Sequence, residues 1–502
     1  MMRMSWSRFV TVLLLGALGL GTAHGVAGAA NDELTVGMNV DPVTLDPRHT
    51  FGTPSISIVY HIADKLVFVD SKLRLIPQLA TAWEWKDSTT LRLTLRKGVT
   101  FHNGEPFTAE SVKYTIESTI ASDSKSYHKS FLRNIASVEV VDDHTVDLKT
   151  SAPFYPLLWN LTFPNMLPPK AARAMGAQIG TKLIGTGPYR LVEYLPGQRV
   201  VVERNEAYWG PKPKVRRIVF RIIPEDGTRM AALQTGEVLL AENVPYDQIA
   251  RIEASPNLSV AIQPGERTIF MAMRFDRPPF SNRDLRLALN HAIDREAIIK
   301  HILSGRGDLA TAPVVPLMFG YHGMKPYPYD PTRARELLAK AGHPQGLQIK
   351  FGSSNGRNPM DKQVAEAIVG QLARVGIQAE LDAPEWGTFL SNVRTGKYDV
   401  FMTGYGAASG HPDALFAVNF ESVGSLNKYR NEKVDALLAQ ARRTADMEAA
   451  KRIYAEVQQV IWEDAPWAAL YFNQTAIGVN KRVKGFVSYP SGHIVLRDVT
   501  LE

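Results

Sequence analysis

QIKFGSSNGRNPMDKQVAEAIVGQLARVGIQAEL, residues 348–381, reads as strand, loop, helix and strand. QIKF at 348–351 and IQAEL at 377–381 are short strand patterns. Between them Val364, Ile368, Leu372 and Val375 recur at helical spacing. Gly376 then stands where a left-handed residue closes a helix. The same alternation extends outward. Asp330-Pro331 opens a helix that carries Ala334, Leu337, Leu338 and Ala341 on one face, and Gly342 ends it. Leu91, Leu93 and Leu95 alternate with Arg92 and Thr94 as a half-buried strand, and RVVVERN (199–205) and VRRIVFRII (215–223) read alike. The last long helix runs from about Met447 to Trp462 and stops before Pro466. This β-α-β order indicates an α/β protein with mixed sheets.

The chain has 502 residues, enough for about three structural units at roughly 150 residues each. Hydrophobic residues at 45% and charged residues at 21% are ordinary globular values, which excludes disorder, collagen and coiled coil as the main architecture. There is no Cys. That removes a disulfide scaffold, thiolate metal sites, a Cys nucleophile and a lipid-modified N-terminal Cys together. Arg3 and Arg8 precede the apolar run Phe9 to Leu20, and Ala27-Gly28-Ala29 fits a small-x-small cleavage site. Residues 1–30 therefore read as a signal peptide cleaved after Ala29 or Ala30, rather than an uncleaved anchor. The run is too short to span a bilayer as a helix. Loss of Arg3 and Arg8 lowers the net charge from +7 to +5. So weak a charge does not argue for nucleic acid. The expected product is an exported, periplasmic protein.

Motifs for catalysis are weak. The closest of the 12 His are His291 and His301, so no pair has helical zinc spacing. There is no phosphate-binding loop of the GxxxxGK[ST] type. GSSNG, Gly352 to Gly356, matches G-x-S-x-G with Ser354 central. However, Arg357, Asn358 and Pro359 intervene before the helix, and a nucleophile elbow needs the helix to begin at the serine. Gly404, Gly406 and Gly410 miss the dinucleotide spacing by one place. These readings favour a non-enzyme without cofactor or metal.

Six long segments resemble, in the expected order, the solute-binding proteins of ABC importers, in the family that includes dipeptide-, oligopeptide-, glutathione- and nickel-binding proteins. They are LRKGVTFHNGEPFTAESVKYTIE (95–117), GTGPYRLVEYLPGQRVVVERNEAYWG (185–210), PPFSNRDLRLALNHAIDREAII (278–299), GRNPMDKQVAEAIVGQLARVGI (356–377), EWGTFLSNVRTGKYDVFMTGYG (385–406) and the final helix with EDAPW (463–467). The resemblance implies a two-lobed α/β fold of the Venus-flytrap type with an extra domain inserted in lobe one. Lobe one is expected at 31–59, 183–268 and 480–502, the inserted domain at 60–182 and lobe two at 269–479. Crossing strands are expected near Thr268–Met273 and Thr475–Asn480. The implied function is capture of a small peptide or peptide-like solute by a monomer, which delivers it to the transmembrane permease subunits. Alternatives are a receptor that presents its ligand to a membrane chemosensor, or a receptor for a non-peptide solute such as an opine, a metal chelate or a sugar.

The resemblance also implies ligand contacts. Trp386 and Tyr405 match the pocket aromatics of peptide-binding relatives. Arg357, with Asn355 on the same loop, lies near the position of an Arg that holds the ligand carboxylate in the dipeptide-binding relatives. His49, Thr50 and Phe51 match a lobe-one cleft loop. Those relatives place an Asp three residues after the pocket aromatic, where it pairs with the ligand's ammonium. Here that position is Ala408, within GYGAASGHPD (404–413), which offers Ser409 and His411 instead. Unmodified di- and tripeptides are then expected to bind poorly unless another acid has moved in, with Glu385 and Asp413 the nearest along the chain. Asp413 reads mainly as a helix N-cap.

Overall fold

A computed structural model describes residues 32–50, 52–126 and 128–502. The signal-peptide reading of residues 1–30 and the cleft reading of Phe51 lie outside the described residues. No helix among the described residues is long and apolar enough to cross a membrane.

One eleven-stranded mixed sheet runs through the molecule. At one end the strands Leu347–Gly352 and Ile377–Asp382 pair in parallel, and the first also pairs in parallel with Val400–Gly406. This is the β-α-β unit of the sequence. The helix between the two strands spans Asp361–Ala373 and buries Val364, Ile368 and Leu372 fully. At the other end Glu33–Met38 pairs in parallel with Arg217–Ile222, followed by Arg199–Arg204 and Tyr189–Leu195. Two long antiparallel strands, Leu258–Met273 and Trp467–Asn480, join the halves. The segments 268–273 and 475–480 of the sequence reading are thus pieces of 16- and 14-residue strands. Their ladder breaks register between Pro264 and Thr268. A Cβ at Gly265 would fall 2.2 Å from Asn473 Oδ1, so a larger residue there would displace the Asn473 side chain, which accepts from Arg267 N at 2.9 Å.

A separate antiparallel sheet stands off this body. It orders Ala80–Trp85, Thr90–Leu95, Thr145–Thr150 and Ile135–Asp142 side by side, covered by the helix Ala109–Ile120. The inward face of Thr90–Leu95 buries Leu91, Leu93 and Leu95, the alternation that marks it in sequence. The sheet has its own apolar core with Phe101, Phe107, Val112 and Ile116, so it is a distinct structural unit.

Candidate functional site

The groups that meet between these bodies come from loops at strand ends, the usual ligand position in open α/β sheets. The loop after Leu347–Gly352 is organised by Asp361, the first residue of the following helix. Its carboxylate accepts from Ser354 Oγ at 2.9 Å and from the backbone N–H groups of Gly356, Arg357 and Asn358 at 2.9–3.2 Å. This explains GSSNG without catalysis: Ser354 is buried and spends its hydroxyl on fixing the loop. The loop presents Arg357, whose guanidinium donates no hydrogen bond to any described residue and lies 5.2 Å from the Trp386 ring. Burial and the nearby Arg267 pull Arg357 down to about 9.

Trp386 is the first residue of the helix Trp386–Thr395, with Glu385 as its N-cap. Glu385 accepts from Gly387 N at 2.7 Å and Thr388 N at 2.6 Å, so it is committed. Strand Val400–Gly406 turns Phe401, Thr403 and Tyr405 to one side, two residues apart. All three, with Trp386, Arg357, Phe389 and Ala408, line one cavity. Thr50, Thr53 and His493 close it from one side, and His128, Phe131 and Phe163 from another. Glu266 and Arg267 enter from the crossing strand. The space between these walls is about 1050 Å³, mouth included. A polar chamber adjoins it and shares Thr53, Arg267 and Arg357. Asn39, Glu242, Asn243, Asn473 and Gln474 also line the chamber.

The cavity is shut by contacts between the bodies. Asn39 and Asn243 donate to Gly356 O at 2.9 and 3.3 Å. Arg133, just before the strand Ile135–Asp142, pairs with Glu421 at 2.6 Å, and Tyr155 N donates to Arg442 O at 3.0 Å.

Several expected contacts lie elsewhere. Ser409 is fully buried, and its hydroxyl accepts from His411 N at 3.3 Å. His411 packs between Trp159, Phe319 and Tyr454, with ring centroids 4.8–5.2 Å away, because the chain turns at Gly410. Neither reaches the cavity. Asn355 is exposed and His49 half-buried, and neither is among the residues that line the cavity. Asp413 is the first residue of its helix rather than the cap, and its carboxylate accepts from Arg442 at 2.7 Å and Tyr454 at 3.2 Å. The sequence reading missed Glu266, Arg267, His493, His128, Phe131 and Phe163. Phe401 and Thr403 were findable, since they alternate with Tyr405 on one strand face.

Buried charge defines the electrostatics. Burial raises Glu242 to about 7, against the pull of Arg229 and Arg357, and raises Glu266 to about 7, against Arg267 and Arg357. Burial lowers His128 to about 3 and takes His493 well below its ordinary value, so both rings are neutral near pH 7.

The sequence profile of the bacterial extracellular solute-binding proteins, family 5 (middle region) matches residues 74–427. The chain belongs to this family. It is a solute-binding protein of ABC import, two-lobed with the cavity between the lobes. The Glutathione-binding protein GsiB of Salmonella choleraesuis (strain SC-B67) is 32% identical over 512 residues, covering 99% of this chain and 100% of that one. Among solved structures, the ABC transporter-associated periplasmic binding protein DppA from Helicobacter pylori, in complex with peptide STSA, superposes with a TM-score of 0.88. It is 27% identical and covers 94% of this chain and 98% of its own. The dipeptide-binding protein from Pseudoalteromonas sp. SM9913, in complex with Met-Leu, gives a TM-score of 0.88 at 25% identity, with 94% and 100% covered.

The Trp386 ring serves two neighbours, because it packs against Phe389 with centroids 5.8 Å apart and also lines the cavity. Trp386→Ala is expected to weaken binding of a seated solute by roughly 1–3 kcal/mol. Paired calorimetry and thermal melts check this. A large fall in melting temperature with normal affinity would place the ring in the core only.

Proposed function

We propose that the protein is the periplasmic receptor that captures a small peptide or peptide-like solute and hands it to an ABC permease. The observation that carries this is the cavity itself. Aromatic walls from two bodies face a half-buried guanidinium that no described residue engages by a hydrogen bond. Arg357 then takes the solute's carboxylate, and the faces of Trp386 and Tyr405 cover its flat or apolar parts. The glutathione-binding relative and the peptide-bound solved relatives support this class of solute.

Recognition follows from differential contact. A solute that touches both lobes stabilises the closed form by the contacts the open form lacks. A dissociation constant near 1 µM needs about 8 kcal/mol net. A few charge-assisted hydrogen bonds and buried aromatic contact are sufficient for that. Closure also joins Asn39 and Asn243 to Gly356 O, so the loop that carries Arg357 is fixed when the lobes meet. The permease would read this closed outer face.

Small-angle scattering with and without glutathione or Met-Leu tests the proposal. The expected result is a smaller radius of gyration in the bound protein. An unchanged radius at saturation, established by calorimetry on the same sample, would contradict closure. Native mass spectrometry of the protein purified from periplasm should show one bound small molecule per chain.

A further inference from the structure

Glu266 is the one acid among the described residues that line the aromatic cavity. The walls around it are otherwise aromatic, aliphatic and cationic, with the hydroxyls of Thr50, Thr53 and Thr403. Glu266 is 4% exposed, and its Oε2 is buried without a hydrogen-bond partner. The adjacent guanidinium does not satisfy it. Arg267 donates instead to Thr53 Oγ1 at 2.5 Å and to Ser491 O at 3.4 Å. Of the other acids near this wall, Glu385 is spent on its helix N-terminus and Asp413 on Arg442 and Tyr454. Glu242, whose carboxylate oxygens are also buried without a partner, lines the adjoining polar chamber and not the aromatic cavity.

The backbone is shaped to admit this side chain. Strand Val400–Gly406 runs antiparallel to the crossing strand, with Gly406 opposite Arg267. A Cβ at 406 would lie 2.9 Å from Glu266 Cγ and 2.5 Å from Glu266 O. The absent side chain at 406 is what gives Glu266 its path along the wall, close in the chain to Ala408. A buried carboxylate with no donor is costly, and an arriving donor recovers that cost.

We propose that Glu266 is the acceptor for a cationic group on the solute, its free ammonium. The receptor then selects small peptides whose amino group is unblocked, with the amine held from the crossing strand and the carboxylate by Arg357. This inference rests on the peptide reading above. It also removes the ground for expecting unmodified di- and tripeptides to bind poorly: the acid that position 408 lacks is supplied from a strand some 140 residues earlier in the chain.

The test is calorimetry on ligand-stripped protein with four probes: Met-Leu, N-acetyl-Met-Leu, glutathione and N-acetylglutathione. Wild type is expected to bind the free-amine forms about 10- to 100-fold more tightly than the acetylated ones, the range of one charge-assisted hydrogen bond. Glu266→Gln is expected to erase that difference by weakening the free forms alone. Gly406→Ala, which crowds the Glu266 side chain, is expected to shrink the same difference and serves as the second variant should Glu266→Gln fail to fold. Equal binding of free and acetylated probes by wild type would overturn the amine anchor while the peptide reading stands. A loss in Glu266→Gln that is equal for both forms would mean a counter-ion to Arg357 and would overturn it too. Binding of none of the four probes by wild type would overturn both readings.

Discussion

Arg357→Ala is expected to weaken binding of carboxylate-bearing peptides by about 2–3 kcal/mol, roughly 30- to 150-fold in Kd. The guanidinium is half-buried and donates to no described residue, so its five N–H groups are available to a solute. Truncation also removes one of the positive charges that Glu242 and Glu266 both feel. The unliganded fold should change little, because the loop is held by Asp361 through backbone N–H groups and Ser354 rather than by the Arg357 side chain. Lys at 357 keeps the charge and loses the planar fork, so it should recover only part of the affinity. Calorimetry with Met-Leu and with its C-terminal amide checks the assignment. The amide should bind wild type weakly and be almost insensitive to the substitution. An unchanged Kd for Met-Leu in Arg357→Ala would assign the side chain to the solvated rim.

Acid is expected to destabilise the unliganded protein strongly between pH 6.5 and pH 4. Burial holds His61, His102 and His411 at about 4 and His128 at about 3, and pushes His493 well below its ordinary value. In the unfolded chain each titrates near 6.5. A group whose folded pKa is depressed contributes stability above its unfolded pKa and loses it as pH falls through the folded value. Each such His contributes a slope of about 1.4 kcal/mol per pH unit across its window. Glu242 and Glu266 oppose this. Their folded values near 7 stand above 4.5, so their contribution is present at low pH and lost as pH rises through 7. Burial raises Asp41, Asp64 and Asp361 as well, but Asp147, Asp276 and Asp382 are held below the usual carboxylate range by Arg92, Arg274 and Lys397 and join the five imidazoles in losing stability toward acid, so the net sign stays with acid destabilisation. Thermal melts at constant ionic strength should therefore show a falling melting temperature from pH 7 to pH 4. A melting temperature that rises toward pH 4 would refute the assignment of these rings as buried and neutral.

The site was partly legible in the sequence because some of it is local. Trp386 sits where a capped helix begins, Tyr405 near the end of a strand and Arg357 in the loop between a strand and a helix. Motif position alone brought these to the cleft, with Thr50 and Ala408. Ser409 and His411 show where locality fails. They follow Ala408 by one and three residues, yet the turn at Gly410 sends His411 to Trp159 and Phe319. Chain proximity to a cavity-lining residue is not proximity to the cavity.

The sequence by itself determined the α/β alternation, the boundaries of the principal helices, the absence of thiol chemistry and the family resemblance. Each of these rests on residue type and spacing within a few tens of positions. Tertiary structure alone decided that Glu266 reaches the cavity and that His128, Phe131 and Phe163 form its far wall. It also decided that Glu242 is buried beside Arg229 and Arg357. The physical reason is that a carboxylate's role depends on which donors surround it once water is excluded. Arg357, a cation that both carboxyls feel, comes from a loop about a hundred residues further along the chain. Glu266 in sequence is an ordinary acid beside Arg267, and only the crossing of two long strands under Gly406 leaves it buried, unpaired and facing the cleft.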